Sequence, residues 1–124
     1  MAKPGKTGIA RIIDAFFYSM KGFKAAWKNE AAFRQEVLMA AVLIPAAFWL
    51  AQGHIELILL IASVFWVLMA ELINSAIEAV VDRVGAEKHE LSGRAKDIGS
   101  ALVLVSLVLM GIIWIIVIKN RFFG

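Results

Sequence analysis

The chain has 124 residues, 61% of them hydrophobic and 19% charged, with a mean hydropathy of +0.80. A soluble globular domain is roughly 45–50% apolar, so this is a membrane protein, and three spans of about 20 residues leave room for one domain and no separate soluble catalytic unit. Absence of cysteine excludes a disulfide framework, a thiolate metal site and a cysteine nucleophile, while the net charge of +3 is gathered in the N-terminal arm and one loop, a pattern that sets membrane orientation and does not point to nucleic acid.

Residues Met1 to Thr7 are linker-like. From Gly8 to Lys28 the sequence is amphipathic: Ile9, Ile12, Ile13, Phe16, Met20, Phe23 and Trp27 fall within about 50° of one direction, with Arg11, Asp14, Tyr18, Lys21 and Lys28 off that stripe. This spacing predicts a helix lying in the membrane interface. Asp14 and Lys21 break any signal-peptide core, so no segment is expected to be removed.

Three apolar segments follow, residues 33–51, 55–81 and 98–118, each long enough for a hydrocarbon core of about 30 Å. Pro45 is expected to kink the first by removing a backbone donor. Only Gln52, Gly53 and His54 separate the first two, which predicts an antiparallel hairpin whose turn carries no Lys or Arg. Seven basic residues precede or open the first span (Lys3, Lys6, Arg11, Lys21, Lys24, Lys28, Arg34), and four lie between the second and third (Arg83, Lys88, Arg94, Lys96). The positive-inside rule then puts the N-terminus and second loop in the cytoplasm and the C-terminus outside. The fold expected is all-α and a single domain over residues 1–124: a surface helix at 8–28 and three transmembrane helices. Trp27, Trp49 and Trp114 are placed as interfacial anchors, and Trp66, nearer mid-span, as bundle packing.

The second span ends in AELINSAIEAVVDR. At about 100° per residue, Glu71 sits at 0°, Asn74 near −60°, Ser75 near +40°, Glu78 near −20° and Asp82 near +20°, so all five share one helix face. An intramembrane carboxylate costs on the order of 2.5–3.5 kcal/mol on insertion scales and usually marks a functional site facing a bundle interior. Glu71 lies about 24 Å into its span and Glu78 about 34 Å, so one is submerged and the other at the boundary. Glu30, Arg34, Gln35 and Glu36 gather at the same membrane side. Polar residues at one end suit an enzyme that takes a soluble reactant from the cytoplasm and a lipid from the bilayer, whereas a carrier needs a site reachable from both faces. Carboxylates without softer ligands suit Mg²⁺, Glu30 and Glu78 being suitable donors, and Arg83, Lys88, Arg94 and Lys96 suit an anion. A nucleotide's phosphates would satisfy both, although the P-loop and the glycine-rich kinase signatures are missing. Asp82 is a candidate for capping a helix end or pairing with Arg83. His54 reads as a solvated turn residue.

With NEAAFRQE at Asn29 to Glu36, ELINSAIEAVVD at Glu71 to Asp82 and HELSGRAKD at His89 to Asp97, the whole chain resembles the prokaryotic integral-membrane diacylglycerol kinase family. The resemblance implies a bacterial inner-membrane homotrimer with active sites shared between subunits, moving the ATP γ-phosphate to diacylglycerol to make phosphatidic acid. It implies Glu71 as general base, Asn74 beside the transferring phosphate, and Glu30 and Glu78 as the divalent-metal ligands that hold ATP. It further implies nucleotide contacts from Arg11, Tyr18, Glu87, Lys88, His89, Lys96 and Asp97. The lipid site it implies takes in Arg11, Ala15, Phe16, Phe17, Tyr18, Ser19, Met20, Lys24, Ala25, Ala26, Trp27, Ala32, Phe33, Arg34, Gln35, Glu36, Trp49, Leu50, Ala51, Gln52, Glu71 and Ser100. Two other functions are weighed against this one: a polyprenol kinase such as undecaprenol kinase, using the same phosphate machinery, and a small proton-coupled carrier titrating at Glu71.

Overall fold

The computed structural model describes residues 5, 7–85 and 89–124. They form four helices, α1 (Gly8–Asn29), α2 (Ala31–Leu50), α3 (His54–Val84) and α4 (Glu90–Phe123), of which α2, α3 and α4 are long and apolar enough to cross a membrane. Within α1 only Ala26 is buried, and the stripe from Ile9 to Trp27 stays exposed. An apolar stripe with no protein partner is what an interfacial helix presents to lipid.

One residue makes the corner between α1 and α2. Glu30 has extended backbone (φ −119°, ψ 105°), ending α1 through its N–H to Ala26 O at 2.9 Å and starting α2 as its N-cap. Arg34, one turn into α2, reaches back and donates from Nη1 to Trp27 O (2.7 Å) and Lys28 O (3.3 Å). The last carbonyls of a helix lack intrahelical partners, so a guanidinium there satisfies them and pins the angle between the helices. Beyond it, α2 runs unbroken through Pro45.

At the other end of α2 the chain turns at Gly53, whose φ of +130° falls in a region open essentially to glycine alone. Glu56, in the first turn of α3, accepts from Gln52 N (2.9 Å) through Oε1 and from Asn120 Nδ2 (3.0 Å) through Oε2. This resembles a capping box displaced by one residue, and it ties the end of α4 to the start of α3.

The main packing seam lies between α3 and α4. On α3 the buried residues Leu60, Ser63, Val64, Val67, Ala70, Glu71 and Asn74 recur at three- and four-residue steps, the spacing of one helix face. On α4 the matching face is Gly99, Ser106, Trp114 and Val117. Trp114 is 8% exposed and its Nε1 donates to Ser63 Oγ at 3.1 Å. Trp66 is 51% exposed. Trp114 is therefore a packing residue of the α3–α4 seam in place of an interfacial anchor, because depth along a span fixes how far a residue sits from the interface and not which face it occupies. Trp27 and Trp49 do face outward.

Helix α4 begins at Glu90, eight residues before the apolar stretch, and ends at Phe123. Hydropathy marks only the part of a helix that lipid must cover, so polar turns extending past it escape notice. His89 starts α4 as its N-cap, its Nδ1 accepting from Leu91 N at 3.0 Å.

Candidate active site

The corner at Glu30 meets the polar end of α3. Ser75 Oγ lies 3.2 Å from Glu30 Oε1 and 3.5 Å from Glu71 Oε2. A hydroxyl has one proton to donate, so Ser75 serves Glu30 first and Glu71 as the alternative, linking corner and span through one side chain. Glu71 is 4% exposed, and across the α2–α3 seam the Glu36 carboxyl lies against it. Glu36 Oε2 is buried without a hydrogen-bond partner among the described residues. Two ionised carboxylates are acceptors only, so this contact becomes a hydrogen bond only when one of them carries a proton.

One turn from Glu71, Asn74 is 8% exposed, and its Oδ1 is also buried without a partner among the described residues. Glu78 lies within electrostatic range of Glu30, Glu71, Asp82 and Lys96. Lys96 Nζ sits 2.7 Å from Asp82 Oδ1, which joins the start of α4 to the end of α3. Asp82 thus pairs with Lys96 in place of Arg83 or a helix cap. Both side chains of that pair are substantially solvent-exposed; such pairs add little to stability, so its consequence is placement of an ammonium beside the carboxylates.

Two hollows flank this cluster. One of about 820 Å³ opens between α1 and α3, with Glu30, Ser75, Glu78 and Asp82 in its wall. The other, about 510 Å³, is an almost wholly apolar groove formed by Phe23, Lys24, Trp27, Phe33, Val37, Phe65, Leu68, Met69 and Leu72. Phe23 and Leu72 belong to both walls. Glu71, the residue before Leu72, lines neither hollow; it is buried behind Ser75, whose hydroxyl lies in the wall of the polar cavity.

The expected site residues are not all brought together. Glu30, Glu71, Asn74, Glu78 and Lys96 gather at the corner end; Glu87 and Lys88 lie outside the described residues. His89 is engaged as a helix cap. Asp97 lines a separate shallow hollow on α4 with Glu90 and Arg94, which pair at 3.6 Å. Arg11 and Tyr18 do not line the larger cavity, and Lys21 Nζ sits 5.4 Å from the Tyr18 ring centroid. Of the expected lipid contacts, Lys24, Trp27 and Phe33 line the apolar groove, whereas Ser19, Ala25 and Ala26 line the polar cavity. Ala15, Phe16, Phe17, Met20, Ala32, Gln35 and Ser100 are exposed, and Arg34 is committed to the α1 carbonyls. Trp49 to Gln52 lie at the opposite end of α2, about 24 Å from Phe33 along the helix. There Leu50 is buried in the core, and Trp49 packs on Phe122 with ring centroids 5.9 Å apart.

Ser75 received no role from the sequence, although its position four residues after Glu71 puts it on the same face. Val37, Phe65, Leu68, Met69 and Leu72 carried no signal at all: in a span that is apolar all round, a groove-lining residue looks like its neighbours.

A membrane protein with three spans, with Glu30, Glu36, Glu71 and Glu78 gathered at one end beside a polar cavity and an apolar groove, belongs to the class of membrane-embedded enzymes that join a soluble reactant to a lipid. The family profile described as prokaryotic diacylglycerol kinase matches residues 17–118. The chain is 54% identical over 108 residues to the diacylglycerol kinase of Haemophilus influenzae, spanning 87% of this chain and 92% of that protein. To the diacylglycerol kinase of Escherichia coli K12 it is 53% identical over 116 residues, 94% of this chain and 95% of that one. To that of Pseudomonas aeruginosa it is 52% identical over 110 residues, 89% of each. The chain belongs to the prokaryotic diacylglycerol kinase family.

Proposed function

We infer that this protein is a diacylglycerol kinase, transferring the γ-phosphate of ATP to the free hydroxyl of diacylglycerol to form phosphatidic acid. The observation that carries the chemistry is the buried Glu71 carboxylate, linked through Ser75, in the wall of the polar cavity, to Glu30. Acyl chains in the apolar groove would bring a lipid hydroxyl toward that carboxylate from the bilayer side. The nucleotide would occupy the polar cavity.

In the transfer, the lipid O–H bond breaks and its proton passes to a Glu71 carboxylate oxygen. The lipid oxygen forms the new bond to the γ-phosphorus, and the bond from that phosphorus to the ADP oxygen breaks. Phosphoryl transfer depends mainly on positioning and on neutralising the charge spread over the moving group. Asn74 has amide donors for a phosphoryl oxygen, and Lys96, steadied by Asp82, supplies a fixed positive charge. Mg²⁺ takes oxygen ligands and typically uses one or two protein carboxylates plus substrate phosphates. Glu30 and Glu78 fit that donor set: among the described residues no group of three Asp, Glu or His side chains is arranged as a metal site, so the phosphates would complete the shell. When bound, the ion supplies charge neutralisation at the phosphates.

The basic residues before the first span and between the second and third support a cytoplasmic N-terminus, a cytoplasmic active site and a C-terminus outside, in a bacterial inner membrane. Assembly as a homotrimer with shared sites is supported by Arg11, Tyr18 and Asp97, which stay away from the polar cavity within one chain and would reach it from a neighbouring one.

The test is transfer of ³²P from ATP in mixed micelles to diacylglycerol and to a long polyprenol, with and without Mg²⁺. Labelled phosphatidic acid formed only with the metal is expected. Labelling of the polyprenol alone overturns the reading in favour of a polyprenol kinase, and no labelling of either lipid returns the carrier.

A further inference from the structure

Asn74 and Gly99 face each other across the α3–α4 seam. Both are buried. A Cβ built at Gly99 would overlap Asn74 Oδ1, with Asn74 Cγ at 3.3 Å and Asn74 Cα at 3.8 Å. Of the other glycines that lie within helices away from the chain end, Gly22, Gly93 and Gly111 have nothing within 4 Å of such an atom. Gly99 is therefore the helical glycine whose missing side chain is filled by a functional group.

We propose that Gly99 is a positioning residue for the Asn74 amide: its bare backbone is the seat for Oδ1, and this seat decides where the amide donors point. The inference rests on the kinase reading, in which Asn74 serves the transferring phosphate. Two features of the contact separate this role from ordinary helix packing. The Asn74 backbone stands at an unstrained distance, so an added methyl meets the tip of a side chain and leaves the α3–α4 spacing free to persist. The buried Oδ1 also has no hydrogen-bond partner among the described residues, so no hydrogen bond to that oxygen competes with the Gly99 seat in setting its position. A planar amide with its oxygen against α4 turns its two N–H donors away from α4. Filling the seat rotates the amide and misdirects those donors, and small misplacement at a reacting centre is costly in rate.

The test is Gly99→Ala in the full-length protein, alone and combined with Asn74→Ala. Turnover of Gly99→Ala is expected to fall by about tenfold or more while the apparent KM for MgATP moves by less than about twofold. In the Asn74→Ala background the same change is expected to alter turnover by less than about twofold, because the group it displaces is gone. Where residual turnover is too low to compare, the side-chain amide resonance of ¹⁵N-labelled Asn74 in micelles gives the answer: it shifts in Gly99→Ala, and an unmoved resonance overturns the proposal. Wild-type turnover in Gly99→Ala, or an equal loss in both backgrounds, also overturns it. A folding defect in Gly99→Ala that Asn74→Ala relieves supports the steric contact, and one that persists in the double variant overturns it. Should Asn74→Ala itself keep wild-type turnover, Asn74 loses its place in the reaction and the proposal falls with it; impaired Asn74→Ala beside normal Gly99→Ala removes the proposal alone.

Discussion

The two ends of the helix bundle both hold a carboxylate network, and they differ in how completely it is satisfied. At the far end each oxygen of Glu56 accepts one hydrogen bond, from Gln52 N and Asn120 Nδ2. At the corner end one hydroxyl, Ser75, stands between two carboxylates, and Glu36 Oε2 and Asn74 Oδ1 are buried without partners among the described residues. Folded proteins satisfy nearly all buried polar groups, so each exception needs an explanation. A finished network holds structure together. An unfinished one, beside a cavity lined by Glu30 and Glu78, has capacity left for a ligand.

The sharpest way to break this contrast is Glu71→Gln. The amide keeps the shape and loses the base, and general-base assistance is typically worth 10²–10⁴ in rate. Turnover is expected to drop by about a hundredfold or more with nucleotide binding largely intact, measured by coupled ADP release alongside an ATP titration. Near-normal turnover would move the base elsewhere. Glu78→Gln comes next: one carboxylate fewer should raise the Mg²⁺ concentration for half-maximal rate by about tenfold. An unchanged Mg²⁺ curve would take Glu78 out of the metal site. Ser75→Ala is smaller still. It removes a link worth about 1 kcal/mol, which corresponds to roughly fivefold in turnover, and an equal loss of thermal stability with no rate effect would make the serine structural.

Much of the corner end was visible in the sequence because polar residues stand out against an apolar span. Glu71, Asn74, Ser75, Glu78 and Asp82 could be placed on one face by angle alone, and the amphipathic stripe of α1 by the same means. Partners on other helices were out of reach: neither the Asp82–Lys96 pair nor the Gly99 seat follows from local spacing. The Trp114 misplacement is instructive, since the angular rule already contained the correction. On the α3 wheel Trp66 falls about 100° from the centre of the stripe formed by Leu60, Ser63, Val64, Val67, Ala70, Glu71 and Asn74, which leaves it exposed within one chain. Trp114 lies within about 80° of Gly99, Ser106 and Val117 on its own wheel. Depth along the span does not separate these two positions; direction on the wheel does.

The smallest expected effect tests the satisfied end. Glu56→Gln keeps one carbonyl oxygen as acceptor and replaces the other oxygen with an amide nitrogen, so one of the two hydrogen bonds to Gln52 N and Asn120 Nδ2 is lost. Loss of a single hydrogen bond in a partly exposed network costs about 0.5–1.5 kcal/mol. Because the α2–α3 turn and the end of α4 lie a full span away from Glu71, turnover at permissive temperature should stay within about twofold of wild type, while thermal inactivation in micelles starts a few degrees lower. The comparison with Glu71→Gln is then one of kind, since the same chemical change costs rate at one end and stability at the other. A rate loss in Glu56→Gln approaching that of Glu71→Gln, with thermal inactivation unchanged, would mean that a saturated network takes part in the reaction and that hydrogen-bond satisfaction does not separate the two ends.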